Sequence, residues 1–407
     1  MDVVYRCCCG IDVHKKTIVA CLIINNKQEV REFGTNTGEI RGLASWLREN
    51  HCEMIAMEST GVYWKPLYNL FEMLELNAMV VNAAHMKALP GRKTDVKDAV
   101  WIADLLRHGL LKASYIPDRE QRELREISRY RKSLIEERSR EVNRLQKVLE
   151  GANIKLSSVV GDIRGKSARK LLDIVTMDKH PSTEEVALLI NVRLRPKLDV
   201  IMRSIEGITT SLQRKLMAQI IDHIDDMTVR VNDMDNIIKS YMDQYEAAIS
   251  AIDEIPGIAR RSAEVIIAEI GKDMSRFPSA AHLCSWAGIC PGNHQSAGKR
   301  QHGKTTQGNK ALKSMLVQCA KAAKQVKESY FSAQYQRIAA RRGNNRATIA
   351  VAHSMLIAIY HVLKNGVAFC DLGSEYYDSF NREHKINGYL KRLNALGWTP
   401  EMKIISA

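Results

Sequence analysis

The first hundred residues alternate between short apolar runs and helix-like stretches. Apolar, β-branched segments within residues 3–33 are separated by turn signals such as Asn25-Asn26, which is typical of three strands. The predicted elements that follow are a helix at 38–49, a strand at 54–58, a helix at 64–75, a strand at 78–82 and a helix that contains Asp95 and Asp98. This order, βββαβαβα, predicts an α/β domain.

From about residue 118 the pattern changes to long helices. Residues 118–150 are highly charged and helical throughout, whereas residues 151–205 can be assigned only loosely. A second stretch spaces its apolar residues alternately four and three positions apart, as in a coiled-coil seam: Ile220, Ile224, Met227, Val231, Met234, Ile238, Tyr241 and Tyr245. Such a seam pairs either within one chain, as an antiparallel hairpin, or between chains, and the sequence leaves both alternatives open.

A third pattern begins at Pro256. The Ile-Pro-Gly-Ile turn at 255–258 lies between two helical segments and is similar to a helix-hairpin-helix, whose backbone amides can receive a DNA phosphate. Pro-Gly is also an ordinary turn, so this signal is weak by itself. A Gly-rich basic loop at 297–308 follows, and the pattern is then mainly helical to the end.

The composition is ordinary for a globular protein, with 45% apolar and 26% charged residues among 407. The apolar runs are short or interrupted, and the N-terminal segment contains Asp2 and Arg6, so we predict neither a membrane span nor a signal peptide. We therefore expect a cytoplasmic protein without a membrane partner. Three of the nine cysteines, Cys7 to Cys9, are consecutive in a predicted strand, where buried packing on alternate faces is expected.

Positive charge is concentrated in one part of the chain. The net charge is +14 overall, +1 in residues 1–115 and +12 in residues 256–346, and residues 290–327 contain eight basic residues and no acid. A segregated basic block indicates a phosphate-binding surface. A solvated helix face would explain its later lysines but not the Gly-rich loop. The candidate nucleic-acid contacts are Lys299, Arg300, Lys304, Lys310 and Lys313.

Four acids are candidate metal ligands: Asp12, Glu58, Asp95 and Asp98. Asp12 and Glu58 follow apolar strand-like runs, where an unpaired buried carboxylate is costly. Asp95 and Asp98 are three residues apart and share a helix face, although such a pair alone is more often a solvated surface. Carboxylate oxygens suit Mg²⁺, and two such ions can bind both oxygens of a phosphoryl transfer.

Ser296 is the candidate nucleophile. It lies in the basic loop close in sequence to Lys299 and Arg300, whose charge can stabilise an attacking oxygen and a phosphate. The same hydroxyl could simply bind phosphate. Thr305 and Thr306 are competing hydroxyls near basic residues, but secondary alcohols are more hindered nucleophiles.

Several motifs are distributed over nearly the whole chain: GIDVHKK, AMESTG, KTDVKDA, PGI, RFPS, PGNHQSAGKR, QGNKALK, RRGNNRATIAVAHSMLIAIYHVL and DLGSEYYD. Together they resemble the insertion-sequence transposases that have a DEDD RuvC-like domain, and the similar pilin-gene invertases. This resemblance implies an RNase H-like (RuvC-like) catalytic domain at 1–115, a helical coiled-coil and oligomerisation region at 116–250, a transposase domain at 251–345 and a C-terminal helical segment at 346–407.

The resemblance also implies a mechanism and partners. Asp12, Glu58, Asp95 and Asp98 would bind Mg²⁺, and Ser296 would form a phosphoserine link to DNA. A structured RNA encoded by the element would pair with donor and target DNA. Family members assemble as dimers of dimers through their coiled coils, so a dimer or tetramer is expected, with each active site drawing acids and serine from different protomers.

The residues and the resemblance together predict a DNA transposase or recombinase. A covalent serine keeps the phosphodiester energy, so strands can be resealed without ATP. One alternative is a RuvC-like or RNase H-like nuclease that uses the acids and water. Another is a non-catalytic nucleic-acid-binding protein, which would leave the four acids without a role.

Overall fold

The computed structural model describes residues 2–59, 61–82, 98–291, 295–296, 299–300, 305–379 and 382–397. For residues 295–296 and 299–300 it describes the backbone alone. The chain divides into two compact units, Met1–Arg119 and Glu120–Ala407. The expected α/β region followed by mainly helical regions is confirmed.

The first unit contains the predicted strands and helices in the predicted order. The strands are β1 (Cys7–Val13), β2 (Thr17–Ile24), β3 (Lys27–Gly34), β4 (Met54–Glu58) and β5 (Ala78–Val81). The helices are α1 (Thr37–Glu49), α2 (Trp64–Met73) and α3 (Asp98–Arg107). Asn25 and Asn26 have positive φ angles of 46° and 75°, so the predicted turn joins β2 and β3 through left-handed backbone that asparagine tolerates.

The five strands form one sheet in the order β3-β2-β1-β4-β5. The first three strands are antiparallel neighbours, as expected for short hairpin connections, whereas β4 pairs parallel to β1 and β5 pairs parallel to β4 across helical connections. The register of β1 and β4 aligns Gly10 with Ala56 and Ile11 with Met57.

Each face of this sheet packs against helices. Cys9, Ile11 and Met57 point to the core shared with α1 and α2. Cys8 and Ala56 point to the opposite core, which α3 covers. Gly10 allows that close packing, because a Cβ there would lie 2.3 Å from the backbone N of Ala103 and from the backbone O of Ala99. The alternation of side chains along β1 therefore decides which residues face α3.

The second unit is mainly helical. Its longer helices are α4 (Arg119–Gly151), which begins at the unit boundary, α6 (Lys166–Thr176), α8 (Leu198–Ile205), α9 (Ser211–Met242), α10 (Glu246–Asp253), α11 (Arg260–Ile270), α13 (Lys310–Ala323), α14 (Tyr330–Arg342), α15 (Asn344–Asn365) and α17 (Arg382–Ala395). Shorter elements are α5 (Leu156–Val159), α7 (Thr183–Leu189), α12 (Ala280–Trp286), α16 (Tyr376–Ser379) and the two-residue strands β6 (Gln295–Ser296) and β7 (Lys299–Arg300).

Helices α4 and α9 pair antiparallel within the chain. Side-chain contacts join the start of α4 to the end of α9 and progress in opposite directions along the two helices: Glu120 with Gln244 at 2.8 Å, Arg131 with Asp235 at 2.5 Å and Arg138 with Thr228 at 3.1 Å. The ends of the pair share a core that contains Leu145, Leu149, Ile220 and Ile224.

The predicted heptad seam is buried by this pairing. Ile220, Ile224, Met227, Val231 and Ile238 are each at most 5% exposed, and the other three seam residues are half-buried: Met234, Tyr241 and Tyr245. Of the two alternatives for the seam, the structure therefore shows the intrachain one and not the interchain one, because α4 covers this apolar face within one chain. The expected dimer or tetramer stays a prediction.

Helix α15 forms the centre of the C-terminal helices. It is the one helix in the described part of the chain that is long and apolar enough to cross a membrane by length and composition. Half of its most apolar window is buried within the chain, where Val351, Met355 and Ile359 are fully covered. This burial is that of a core helix.

Candidate active site

Asp12 continues the face of β1 that packs against α3. Side chains alternate along a strand, so Asp12 shares this face with Cys8 and Gly10. Its side chain is 15% exposed, and Oδ2 lies 2.9 Å from Nε2 of His14, whose side chain is 63% exposed. The carboxylate is therefore near the surface at the end of a buried strand.

Glu58 is the last residue of β4 and is half-buried. Because Gly10 pairs with Ala56 and Ile11 with Met57, continuing the parallel register brings Glu58 beside Asp12. Ala56 faces α3, so Glu58, two residues later, has the same orientation. The register of two neighbouring strands thus brings two predicted ligands together.

Asp98 begins the described part of α3 and is half-buried. The Sγ atom of Cys8 lies 3.7 Å from the carbonyl oxygen of Ala103, and Gly10 lies against both Ala99 and Ala103. Moving along β1 from Cys8 toward Asp12 therefore approaches the Asp98 end of the helix. The fold directs all three described acids to one edge of the sheet, while Asp95 lies outside the described residues.

The donor set fits a hard divalent cation. Asp12, Glu58 and Asp98 offer carboxylate oxygens, which are the ligands that Mg²⁺ prefers. Within the described ranges no group of three or more His, Cys, Asp or Glu side chains is close enough to hold a metal ion. The assignment of these three acids and Asp95 as metal ligands therefore stays a prediction.

The cysteine cluster beneath the acids is structural. Cys7, Cys8 and Cys9 are buried on alternate faces of the sheet, as predicted. Burial raises the pKa of the Cys8 thiol to about 12 and that of Cys21 to about 11. A protonated, buried thiol is a poor nucleophile and a poor ligand, so the chemistry at this edge belongs to the carboxylates.

Ser296 lies in a small antiparallel hairpin. Strands β6 and β7 pair Ser296 with Lys299 and Gln295 with Arg300. An isolated bridge between Pro291 and Thr305 flanks the hairpin on both sides in sequence. The side chains of Ser296, Lys299 and Arg300, and all of Lys304, lie outside what the structure describes.

The remaining predicted basic contacts lie on α13, which follows this hairpin. Lys310 is its first residue and is exposed. Lys313 is half-buried, and its Nζ donates to Oγ1 of Thr305 at 2.6 Å. Lys313 therefore ties one end of the hairpin segment to α13, and the Thr305 hydroxyl is already engaged.

The Pro-Gly turn connects α10 and α11. Ile255 and Ile258 are buried on either side of it. Gly257 has a φ of 88°, and a Cβ there would lie 2.5 Å from the backbone N of Ala323 in α13. The turn therefore packs closely on the helix that follows the serine hairpin, which explains its glycine independently of any phosphate contact.

Glu269 is a site residue that the sequence interpretation missed. It is fully buried in α11, yet its carboxylate contacts Arg129 of α4 and Asn309 at the start of α13. The signal was an acid in the apolar run Val265–Ile270, where a charge requires partners. Those partners are distant in sequence, so the signal did not identify them.

Two family models match the chain. One, a DEDD transposase model of the IS110 type described as "Transposase", matches residues 9–154. The other, described as "Transposase IS116/IS110/IS902 family", matches residues 249–336. Together they cover more than half of the chain, and their ranges contain the four acids and Ser296, respectively.

Two curated relatives are similar over about 70% of the chain and a third over a shorter part. The uncharacterized 43.6 kDa protein of insertion element IS110 from Streptomyces coelicolor is 26% identical, covering 69% of this chain and 73% of its own length. The pilin gene-inverting protein of Moraxella lacunata is 26% identical, covering 70% and 73%. The transposase for insertion sequence element IS1533 of Leptospira borgpetersenii is 29% identical over 160 residues, 36% of this chain and 44% of its own.

Proposed function

We propose that this chain, a DNA transposase or recombinase of the IS110 family, cuts and rejoins DNA through a phosphoserine intermediate. Asp12, Glu58, Asp95 and Asp98 are the proposed Mg²⁺ ligands, and Ser296 is the proposed nucleophile. The observation that supports the proposal most is the parallel register of β1 and β4, whose continuation brings Glu58 beside Asp12 at the same end of neighbouring strands.

An RNase H-like arrangement of the first unit supports this assignment. The sheet has the order β3-β2-β1-β4-β5, with the first acid on β1 and the second at the end of β4. A divalent cation bound there would polarise the phosphate and lower the pKa of an attacking hydroxyl. The four carboxylates would hold the cation through oxygen atoms, the ligands that Mg²⁺ prefers.

The proposed covalent step is a transesterification. The Oγ atom of Ser296 forms a bond to the phosphorus of a DNA phosphodiester and releases its proton to solvent. The bond from phosphorus to one deoxyribose oxygen breaks, and that oxygen leaves as a hydroxyl group after taking up a proton. Because the phosphodiester count is unchanged, a deoxyribose hydroxyl of the exchanged strand can reverse the step and reseal the DNA.

The nearby threonines are weaker candidates for this role. Thr305 accepts a hydrogen bond from Lys313 and lies at the bridge to Pro291, so its hydroxyl is part of the support of the hairpin segment. Thr306 is exposed, but it is a secondary alcohol. Ser296, a primary alcohol paired with Lys299 across the hairpin, combines lower steric hindrance with a nearby cation in the chain.

Covalent trapping tests the nucleophile. Labelled donor DNA is mixed with the protein, Mg²⁺ is added, and the products are separated by denaturing electrophoresis. We expect the wild type and Thr306→Ala to shift the DNA by the size of the protein, and Ser296→Ala to bind DNA without a shift. An adduct that persists in Ser296→Ala would reject the assignment, and cut ends without any adduct would favour the water-dependent nuclease.

We also propose that a structured RNA guides the reaction and that the protein acts as a dimer or tetramer. The basic block of residues 256–346, with a net charge of +12, supports nucleic-acid binding beyond the acids of the first unit. To test the guide, the protein is expressed together with the flanking DNA of the element and purified, and any RNA bound to it is sequenced. Strand exchange that is fully resistant to ribonuclease during assembly would contradict it, and light scattering measures the oligomer.

A further inference from the structure

A buried polar network lies at the start of α13, the helix that follows the serine hairpin. The carboxylate of Glu269 accepts from Nε and Nη2 of Arg129 at 2.7 Å each. It also accepts from Nδ2 of Asn309 at 2.6 Å. Arg125 donates to the backbone carbonyl of Glu269 and lies over the ring of Trp286, 5.4 Å from its centroid. A fully buried carboxylate is thus bound by side chains from α4 and from the start of α13.

Asn309 connects this network to the hairpin segment. Its Oδ1 caps α13 by accepting from the backbone N–H groups of Ala311 and Leu312, both at 3.1 Å. Its own backbone N–H donates to the carbonyl oxygen of Trp286 at 3.2 Å. The two polar ends of one amide therefore have different roles, since the oxygen starts the helix and the nitrogen binds Glu269.

The residues beside Asn309 close the base of the hairpin segment. A Cβ at Gly308 would lie 2.4 Å from the backbone N of Gly288, so the chain before the hairpin contacts the chain after it. Pro291 and Thr305 form a bridge on the same two segments. Displacing Asn309 would consequently shift both ends of the segment that contains Ser296.

The energetics favour a role in positioning. The Glu269 side chain is 1% exposed and loses its water, whereas the Arg129 side chain is 50% exposed, so the pair contributes little net stability. Its strength is geometric, since a bidentate Arg–carboxylate pair fixes both partners in one plane. The carboxylate correspondingly raises the pKa of Arg129 through the hydrogen bonds they share.

We propose that Glu269 is a positioning residue that holds Asn309, and through it the base of the β6–β7 hairpin, in one register on α4. The inference rests on the proposed role of Ser296. A displacement of the reacting groups by about 1 Å can lower the rate on the order of 100-fold. A nucleophile on a short hairpin therefore requires that the two ends of the hairpin be held in place. Lys132 of α4 makes a second contact with α13, because its Nζ lies 2.9 Å from Oγ of Ser314.

The test compares Glu269→Gln with Glu264→Gln. Glu264 is on the same helix, is 6% exposed and pairs with Arg260 and Arg261 instead of the network. We expect Glu269→Gln to lower the maximal single-turnover rate of adduct formation about 10- to 100-fold, with half-saturating DNA concentration and melting temperature close to wild type. Glu264→Gln should retain the wild-type rate. A rate in Glu269→Gln that matches Glu264→Gln, or that falls only as the protein unfolds, would overturn the proposal.

Reversing the donor and the acceptor in the Glu269–Asn309 contact distinguishes a positioning role from the simple loss of a side chain. Asn309→Asp keeps the helix cap but faces Glu269 with a second carboxylate, and we expect it to be as slow as Glu269→Gln. The double variant Glu269→Gln with Asn309→Asp restores a donor–acceptor pair, because the glutamine amide can donate to the aspartate. Recovery of about fivefold or more over either single variant supports the proposal, and the absence of recovery contradicts it.

Hydrogen exchange distinguishes this inference from the proposed chemistry. Amides of residues 305–313 should exchange at least about fivefold faster in Glu269→Gln than in the wild type, and at the wild-type rate in Glu264→Gln. If the wild type formed no adduct at Ser296 but this exchange pattern held, the nucleophile would be wrong and the support role of Glu269 would stand. Unchanged exchange in Glu269→Gln would reject the support role whatever the outcome of the adduct assay.

Discussion

The acids of the first unit and the serine hairpin of the second are positioned by different kinds of interaction. Backbone register between β1 and β4, together with the contact of Gly10 with α3, directs Asp12, Glu58 and Asp98 to one edge of the sheet. The hairpin base instead depends on polar side chains around Glu269. The first arrangement depends on main-chain geometry, while the second depends on a few particular side chains.

This comparison predicts that isosteric changes at the acids alter chemistry without altering the fold. Asp98→Asn should keep the fold and nucleic-acid affinity, because the backbone positions the residue, and lose a metal ligand. We expect strand exchange to fall about 1,000-fold, roughly 4 kcal/mol in activation free energy. Asp95→Asn should behave in the same way. Strand-exchange rates and melting temperatures are the measurements.

A control for this prediction is available on the same helix. Asp104→Asn removes a carboxylate from α3 whose side chain is 45% exposed and lies near His108. It should leave strand exchange within about twofold of wild type, as surface substitutions usually do. Full activity in both Asp95→Asn and Asp98→Asn would show that the metal assignment is wrong.

Main-chain contact can be tested directly at Gly10. Gly10→Ala places a methyl group 2.3 Å from backbone atoms of α3, which cannot rotate away as a side chain can. We expect the first unit to lose about 3 kcal/mol of unfolding free energy. Gly42→Ala is the control, because nothing lies within 4 Å of its Cβ and alanine favours the helix by about 0.5–1 kcal/mol.

In this experiment, cysteine labelling measures the unfolding of each unit separately. Cys8 and Cys21 report on the first unit, and Cys284 and Cys319 report on the second. Burial raises the pKa of Cys8 to about 12, so near pH 8 the folded thiol is protonated and shielded, and it reacts once the unit unfolds. Equal urea midpoints for Cys8 in Gly10→Ala and Gly42→Ala would refute the contact argument.

The same contrast explains what the sequence could predict. Alternation along β1 and β4 is local, so it predicted the order of the strands along the chain and the positions of Asp12 and Glu58 in or at the end of a strand. Glu269 and Arg129 are 140 residues apart, and only tertiary packing decides that they meet. The seam through Val231 had a clear heptad pattern, but an intrachain and an interchain partner satisfy that pattern equally well, so the sequence could not choose α4.

The helical pair offers a third test. Val231→Glu introduces a charge at a seam position that is 4% exposed, and we expect a loss of about 3 kcal/mol at every protein concentration, since the partner is in the same chain. Val229→Glu, two residues earlier and 59% exposed, should be nearly neutral. Urea unfolding at several protein concentrations provides the measurement. A midpoint that depended on concentration would restore the interchain seam.

The charge contrast between the units predicts where nucleic acid binds. Replacing Lys299, Arg300 and Lys304 with alanine should flatten the log–log salt dependence of duplex binding by about two to three units, at roughly 0.9 per phosphate contact. Affinity should fall uniformly across DNA sequences, because phosphate contacts do not read bases. A triple variant with the wild-type slope would assign the main binding surface to another part of the chain.

Lys310→Ala should have the smallest effect. Lys310 is exposed at the first turn of α13, unlike Lys313, which is bound to Thr305. Losing one phosphate contact should lower the salt slope by about 0.9 and the affinity only a few-fold near 0.15 M salt. Lys239→Ala removes an exposed lysine from α9 and should leave the slope unchanged, as a solvated helix face would. Equal salt slopes for Lys310→Ala and Lys239→Ala would exclude the start of α13 from the binding surface and leave the hairpin segment as that surface. Asn309 would then only hold the hairpin in place, without a role in DNA binding.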